Sequence, residues 1–545
     1  MAGPAPFTNL DPETAAAVRR AGLDPHAFDQ VTEMLLAHIC TELVPDLRVS
    51  GASWLTTGER LRNHVSRLVV KEDAGGPALC APDGVDRISR LPDALQRNIV
   101  ARLPVKDAAR TSALSSRWRR VWLSTPLVLV DDHLRPKGCA WPPTPADSPA
   151  ITAIVSSVLE AHAGPFRCVR LTCSHMKAYQ VHLARWLQLL AAKGVQDLVL
   201  INRPWPLGVP LPATLFTITT LTRLYIGIWK LPDMARLPRR TFFPHLRELG
   251  ICNVVMEDGD IDFLVAKSPV LEILNIHGMD KTVRLRLVSQ SIRCVQICGT
   301  VRGDIAVVKA PCLDRLILQT SRGKSNADGS CTRIRIDDAP MLRVFGFLEP
   351  GNHILDIRDT ILMAGIKASP STIIISVKIL SLSVQFGNHN NAKMMPTFLR
   401  CFPNLETLHV MSRKCDYQAG SARLNLKFWE STRPPECVQS RIKVFSIREY
   451  CGELGEVAFL KFFFRNARAL NSASISMANP SFTSFSMDEA QSKVEKASKT
   501  MANNSCQIVV LGSNGPEGGS VWSFKKGTDY PFEDPFWAVE FLDES

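Results

Sequence analysis

The chain has 545 residues, and its 15 cysteines and 12 histidines are the side chains most able to do chemistry; their spacing argues against it. Cys294 and Cys298 are separated by three residues and Cys168 and Cys173 by four, and neither pair has a second Cys/His pair at zinc-site spacing. There is no Gly-x-x-x-x-Gly-Lys-Ser/Thr loop, no His-Glu-x-x-His and no Gly-x-Ser-x-Gly elbow. Gly512-Ser513-Asn514-Gly515 is a turn sequence without the strand, lysine and helix of a nucleotide cradle. No metal, cofactor or catalytic residue is therefore expected. The cysteines read as reduced, partly buried thiols of a nuclear or cytoplasmic protein.

What the chain offers instead is surfaces for binding. Between Asp86 and Leu134, Leu91-Pro92-Asp93-Ala94-Leu95 opens a helix, Pro92 supplying the preset φ of a first turn. Leu95, Ile99 and Leu103 recur every four residues as an apolar stripe, and Pro104 ends that helix. A second helix is expected over Lys106–Ser115, and a third carries Trp118, Val121 and Trp122 on one side. A unit this small cannot bury three apolar stripes, so part of its surface is left for a partner.

Leu91-Pro92-x-x-Leu95-x-x-x-Ile99-x-x-x-Leu103-Pro104-Val105-Lys106-Asp107, followed by Leu114-Ser115-x-x-Trp118-Arg119-x-x-Trp122, resembles the F-box of plant F-box proteins. The resemblance implies docking on a Skp-type adaptor and, through it, a cullin scaffold. On that reading Leu91, Pro92, Leu95, Ile99, Leu103, Pro104 and Val105 contact the adaptor, while Leu114, Trp118 and Trp122 hold the helices together. The alternative is an interaction scaffold whose F-box-like motif does not recruit the ligase.

The formal charge of +12 is spread along the sequence rather than massed, and no basic stripe interleaves with aromatics. This reads as a solvated basic surface suited to acidic protein partners, not as a nucleic-acid surface. The first residues lack the basic start and apolar run of a signal peptide, and no apolar run reaches membrane-spanning length.

Residues 1–75 read as a helical extension. Asp11-Pro12 and Asp24-Pro25 are cap-then-proline starts, and Phe28, Val31, Leu35, Ile39 and Leu43 recur at helical spacing. A further helix is expected over Glu59–Val70, and Lys71–Pro77 reads as a linker. Residues 141–150, with Pro142, Pro143, Pro145 and Pro149, read as a second, proline-stiffened linker between the F-box and the repeats.

From residue 151 to 435 a unit Φ-x-x-Φ-x-Φ, Φ being apolar, repeats: Phe166/Val169/Leu171, Leu246/Leu249/Ile251, Leu271/Leu274/Ile276, Ile292/Val295/Ile297, Leu313/Leu316/Leu318, Leu342/Phe345/Phe347 and others. The middle residues recur at 21 to 29 positions through Phe345, the range of leucine-rich repeats. Pro244, Pro269, Pro311, Pro340 and Pro403 each stand two residues before the first Φ, where a proline sets the chain into extended geometry. The fold expected is thus α+β and multidomain: a three-helix F-box, then an α/β leucine-rich-repeat solenoid with parallel strands. Side chains alternate along a strand, so residues between the Φ positions face away from the core. Tyr225, Asn275, His277, Gln296, Arg315 and His409 are accordingly the expected contacts to an unknown target protein. No basic cluster recurs at one strand position, so a bound small anion is not expected.

Residues 436–476 resemble the FBD module of plant F-box proteins, most clearly in Phe459-Leu460 and Asn466-Ala467-x-x-Leu470. A strand to Glu449, a turn through Gly452 and Gly455 and a helix with Val457, Leu460 and Phe464 are expected. Residues 477–545 should supply a strand at Gln507–Leu511 and an acidic, aromatic tail with Phe532, Phe536 and Trp537 that caps the last repeat.

Overall fold

The computed structural model describes residues 12–20, 22, 24–43, 88–135, 143–203, 208–278, 284–299, 303–319, 331–362, 372–414, 427–513, 515, 519 and 522–537. The helix expected at Glu59–Val70, the linker Lys71–Pro77, Asp86, Trp141 and Pro142 lie outside them. The chain divides into two compact units, Met1–Ile228 and Trp229–Ser545.

The first unit begins with helices α1 (Pro12–Arg20) and α2 (Pro25–Leu43). Asp24 caps α2, its carboxylate accepting from the N–H groups of His26 and Ala27. The side chains of Leu35, Ile39 and Leu43 lie outside the described residues. The side carrying Phe28 and Val31 is exposed at those two residues, whereas Asp29 and Glu33 are buried. The reason is a cation: Arg203 donates to Glu33 at 2.8 Å, an ion pair hidden from solvent. Burial pushes the Glu33 carboxyl up to about 7, against the pull of Arg203.

Helices α3 (Asp93–Val100), α4 (Val105–Thr111) and α5 (Ser116–Ser124) follow, with Pro92 and Pro104 at the N-caps of the first two. Ser115 caps α5 by accepting from the Trp118 N–H. The chain then runs without a spacer into strand β1 (Leu127–Val130), which pairs in parallel with β2 (Phe166–Leu171). Strands β3 (Asp197–Ile201) and β4 (Arg223–Gly227) extend this sheet, and helices α6 (Ser148–Ala161) and α7 (Gln180–Ala192) cross between strands. The expected proline linker is not one where it is described. Thr144 and Asp147 form a capping box around the turn Pro145–Asp147, which leads directly into α6.

In the second unit the parallel sheet runs β5 (Glu248–Cys252), β6 (Ile273–His277), β8 (Cys294–Cys298), β10 (Arg315–Gln319), β12 (Val344–Leu348), β15 (Ile379–Val384), β16 (Thr407–Ser412), β17 (Val444–Tyr450), β18 (Ser472–Met477) and β19 (Gln507–Leu511). The middle apolar residues fall in one register row: Leu249, Leu274, Val295, Leu316, Phe345, Leu380, Leu408 and Phe445 are direct partners from strand to strand. All are buried, and each leucine contributes about 1.5–3 kcal/mol by leaving water. The repeat spacing therefore corresponds to a physical stack.

Two features depart from the expected repeats. A second, 5-stranded sheet is built from β7 (Leu285–Val288), β9 (Ile305–Lys309), β11 (Thr332–Ile336), β13 (His353–Ile357) and β14 (Thr360–Ile361), where helices would return the chain. Helices take that place elsewhere: α8 (Asp260–Ala266), α9 (His389–Arg400), α12 (Leu454–Asn466) and α13 (Met487–Ser498), with short α10 (Lys427–Ser431) and α11 (Glu436–Ser440) before β17. Phe347, read as a core position, has φ +53° at a register shift in β12; Leu348 instead pairs with Leu382. A bulge of this kind turns a side chain onto the opposite face.

Candidate adaptor face and target face

Helix α3 carries two stripes at i, i+4 spacing. Gln96 and Val100 face inward and are fully buried with Val105, Ala108, Trp118 and Val121. Leu95 and Ile99 stand on the open side at 51% and 38% exposure, joined by exposed Ile88, Pro92, Pro104 and Leu114. Leu91 and Leu103 are half-buried. Two residues have exposures opposite to those expected. Val105, expected at the adaptor, opens α4 with its side chain in the core, at 3% exposure. Leu114, expected as framework, follows α4 and is 67% exposed.

Trp118 is buried, and its indole N–H donates to Ser89 Oγ at 2.8 Å. Trp122 is half-buried and meets the His162 ring at 5.1 Å. Gln96 and Arg117, neither singled out from sequence, fix the segment before α3. Gln96 donates to the carbonyls of Ile88 and Ser89, and Arg117 to the Leu91 carbonyl at 2.8 Å and Asp93 Oδ1 at 2.7 Å. The hydrogen bond from Arg117 holds the Asp93 carboxyl below its ordinary value. A polar residue on the inner stripe of an amphipathic helix was the available signal for Gln96. Buried, it must find partners.

The second surface is the strand face turned away from the stacked apolar row. Parity places Asn275, Gln296 and His409 there as expected, yet they are buried, Arg315 has no exposure at all, and His277 is only half-exposed. Tyr225, in the first unit, is buried as well. The cover over the second-unit residues is the chain's own segment Trp522–Trp537, which includes the short helix α14 (Phe524–Thr528). Gln296 donates to Asn275 Oδ1 and to the Phe524 carbonyl, and accepts from the Trp522 indole N–H. Arg315 donates to the carbonyls of Gly527, Asp529 and Phe532 at 2.9, 3.2 and 2.7 Å. The Tyr530 ring lies against the guanidinium groups of Arg293 and Arg315, at 4.2 and 4.8 Å.

Farther along, His409 Nε2 meets Asp534 Oδ2 at 2.8 Å, and Arg448 donates to the Phe536 carbonyl. Burial raises the Asp534 carboxyl, but the facing His409 and the hydrogen bonds to the group outweigh it and hold it below its ordinary value. Phe347, put on this face by its bulge, packs edge-on against Trp522 and Phe536 at 5.6 and 5.1 Å. The tail thus lies across the strand face instead of capping the last repeat. Parity could give the direction of a side chain but not what covers it.

Among the described residues no cluster of His, Cys, Asp or Glu could hold a metal ion, and no helix is long and apolar enough to cross a membrane. Burial pushes the thiols of Cys168, Cys294, Cys401 and Cys437 up to about 12, which leaves them unreactive.

Three family models match: an F-box domain over residues 88–129, the leucine-rich repeats of the FBD-associated F-box protein At5g56370 over 183–410, and FBD over 430–475. The chain carries an F-box, leucine-rich repeats and an FBD module. It is similar to F-box/FBD/LRR-repeat proteins of Arabidopsis thaliana. The putative F-box/FBD/LRR-repeat protein At5g44950 is 25% identical over 78% of this chain and 100% of its own length. The FBD-associated F-box protein At4g13985 is 28% identical over 62% and 80%, and F-box/LRR-repeat protein 13 is 26% identical over 61% and 77%.

The F-box match covers α3 to α5 and most of β1. Within the FBD match, Phe445, Phe459 and Phe463 form one aromatic cluster, with Phe445 and Phe463 rings 4.4 Å apart, and Trp429, just before the match, packs on Phe459. Glu456 is buried in the first turn of α12 and accepts the Glu453 N–H at 2.7 Å. Burial pushes its carboxyl up to about 7, although Ser412 and the Glu453 and Cys451 N–H groups pull the other way.

Proposed function

We propose that this protein is the substrate-receptor subunit of a Skp–cullin–F-box ubiquitin ligase, acting in the nucleus or cytoplasm. The F-box holds a Skp-type adaptor, and the leucine-rich repeats hold a target protein. The observation that carries the reading is the open apolar face of Leu95, Ile99 and Leu114 on an F-box whose own core is already complete with Val100, Val105, Trp118 and Val121. Such a face gains by being covered, at about 25 cal/mol for each Å² of apolar surface buried.

The role is non-catalytic. A receptor raises the effective concentration of a target's lysines beside an activated ubiquitin, so it needs two binding surfaces and no acid, base or nucleophile. Reconstitution tests it. The full chain, mixed with purified Skp-type adaptor and cullin, should co-elute with both on gel filtration. Elution apart from the adaptor would leave a scaffold that does not recruit the ligase.

A further inference from the structure

The strand face and the segment lying on it fit one another at several independent points. A Cβ on Gly346 would lie 2.4 Å from Phe536 Cζ, and a Cβ on Gly527 would lie 1.9 Å from Gln296 Oε1. One glycine is on the face and the other on the segment, each at a place where a Cβ would require the facing side chain to shift. The groups that grip the segment address mostly its main chain. Gln296, Arg315 and Arg448 together donate to the carbonyls of Phe524, Gly527, Asp529, Phe532 and Phe536. Main-chain carbonyls are common to every peptide, so this part of the grip carries no demand for one sequence. Specificity is left to three places: the Phe347 platform under Trp522 and Phe536, the His409 position that takes Asp534, and the Arg293–Arg315 pair that takes the Tyr530 ring.

We infer that the strand face is a peptide-binding groove for a segment of one short helical turn and following turns, with aromatic residues flanking acidic ones, and that Trp522–Trp537 fills it in cis as a stand-in for the target. Tyr530-Pro531-Phe532-Glu533-Asp534-Pro535-Phe536-Trp537 shows the chemistry admitted: the Asp534 carboxylate toward His409, the Tyr530 ring toward Arg293 and Arg315, and the Phe536 ring toward Phe347. The target enters by displacing the segment. This deepens the receptor reading given above and rests on it for the identity of the second surface. A tethered occupant acts at an effective concentration near millimolar, so a free peptide of equal intrinsic affinity is held off until the segment opens. The segment is therefore a threshold: weak or transient partners fail, and a partner with more contacts wins.

Two measurements test this without adaptor or cullin, so their failure is distinct from failure of the ligase reading. The first is hydrogen exchange on the unaltered full chain. Amides of 522–537 should exchange at least ten-fold faster than those of β8 and β10, because the segment opens alone. Protection equal to those strands would overturn the proposal, since the segment would then be a fixed part of the fold. The second uses a fluorescein-labelled synthetic peptide with the sequence of residues 522–537. The full chain with Asp534→Ala and Phe536→Ala, which loosens the segment but leaves the groove intact, should bind it at least ten-fold more tightly than the parent. Adding Arg315→Ala should remove that gain. A folded loosened variant that binds no better than the parent would overturn the groove; if the variant does not fold, the exchange measurement on the parent decides alone.

Discussion

Phe536 lies against the bare Cα of Gly346 so closely that a methyl group there would stand 2.4 Å from its ring. Gly346→Val should therefore push the segment off the face rather than distort β12, whose neighbours on both sides are paired strands. Overpacking of this kind costs about 1–3 kcal/mol. The cost should shrink when Phe536→Ala is made in the same chain, because the clash is then gone. Thermal melts of the two single variants and the double variant measure the coupling, and strict additivity would contradict the contact.

The two F-box tryptophans should not be equivalent. Trp118 is buried and hydrogen-bonded to Ser89, so Trp118→Ala should cost about 3–5 kcal/mol and unfold the F-box. Trp122 is half-buried against His162, and Trp122→Ala should cost less than half as much. Denaturant melts of both variants give the order, and an equal or reversed order would show that the helices are not held this way.

Much of this could be read from residue spacing, because the repeat and the fold share a physical cause. The middle Φ of each repeat must stack on the next, so the positions of Leu274, Val295 and Leu316 were fixed by sequence alone. The second sheet is not legible in the sequence although Leu285/Leu287, Ile305/Val307 and Ile334/Ile336 alternate as strands do, because runs of 4 or 5 residues give too short a signal. The side on which Phe347 lies is not legible in the spacing, because its positive φ at the register shift in β12 reverses the parity. The cover over Gln296 was illegible for a different reason: Gln296 and Phe524 are 228 residues apart in sequence, and no local pattern records that contact. The burial of Val105 and the exposure of Leu114 were not legible because a motif gives residue types in order, while which side of a short helix is open depends on the loops between helices.

The FBD should respond to pH through Glu456. Its carboxyl is raised by burial to about 7 in the folded protein, from an ordinary value near 4.5. A raised folded value means that the contribution to stability is complete below the unfolded value and is lost as pH rises through 7. The loss is on the order of 3 kcal/mol at most. Melting temperature should therefore fall between pH 5 and pH 8, and Glu456→Gln, which keeps an acceptor for the Glu453 N–H but cannot ionise, should flatten that fall. An unchanged slope in the variant would place the titration elsewhere, with Glu33 next in line.

Binding of a Skp-type adaptor to the open face of the F-box is tested most directly by the adaptor dissociation constant for three forms of the full chain. Leu95→Ala, Ile99→Ala and Leu114→Ala together remove exposed anchors, each worth about 1 kcal/mol or more if buried at the interface. The triple variant should bind at least about 100-fold more weakly than the parent with an unchanged melting temperature. Val105→Ala, in the core, should lower the melting temperature and leave the dissociation constant of the folded protein nearly as it was. A parent chain that does not bind the adaptor, or a triple variant that binds as tightly as the parent, would contradict the receptor role.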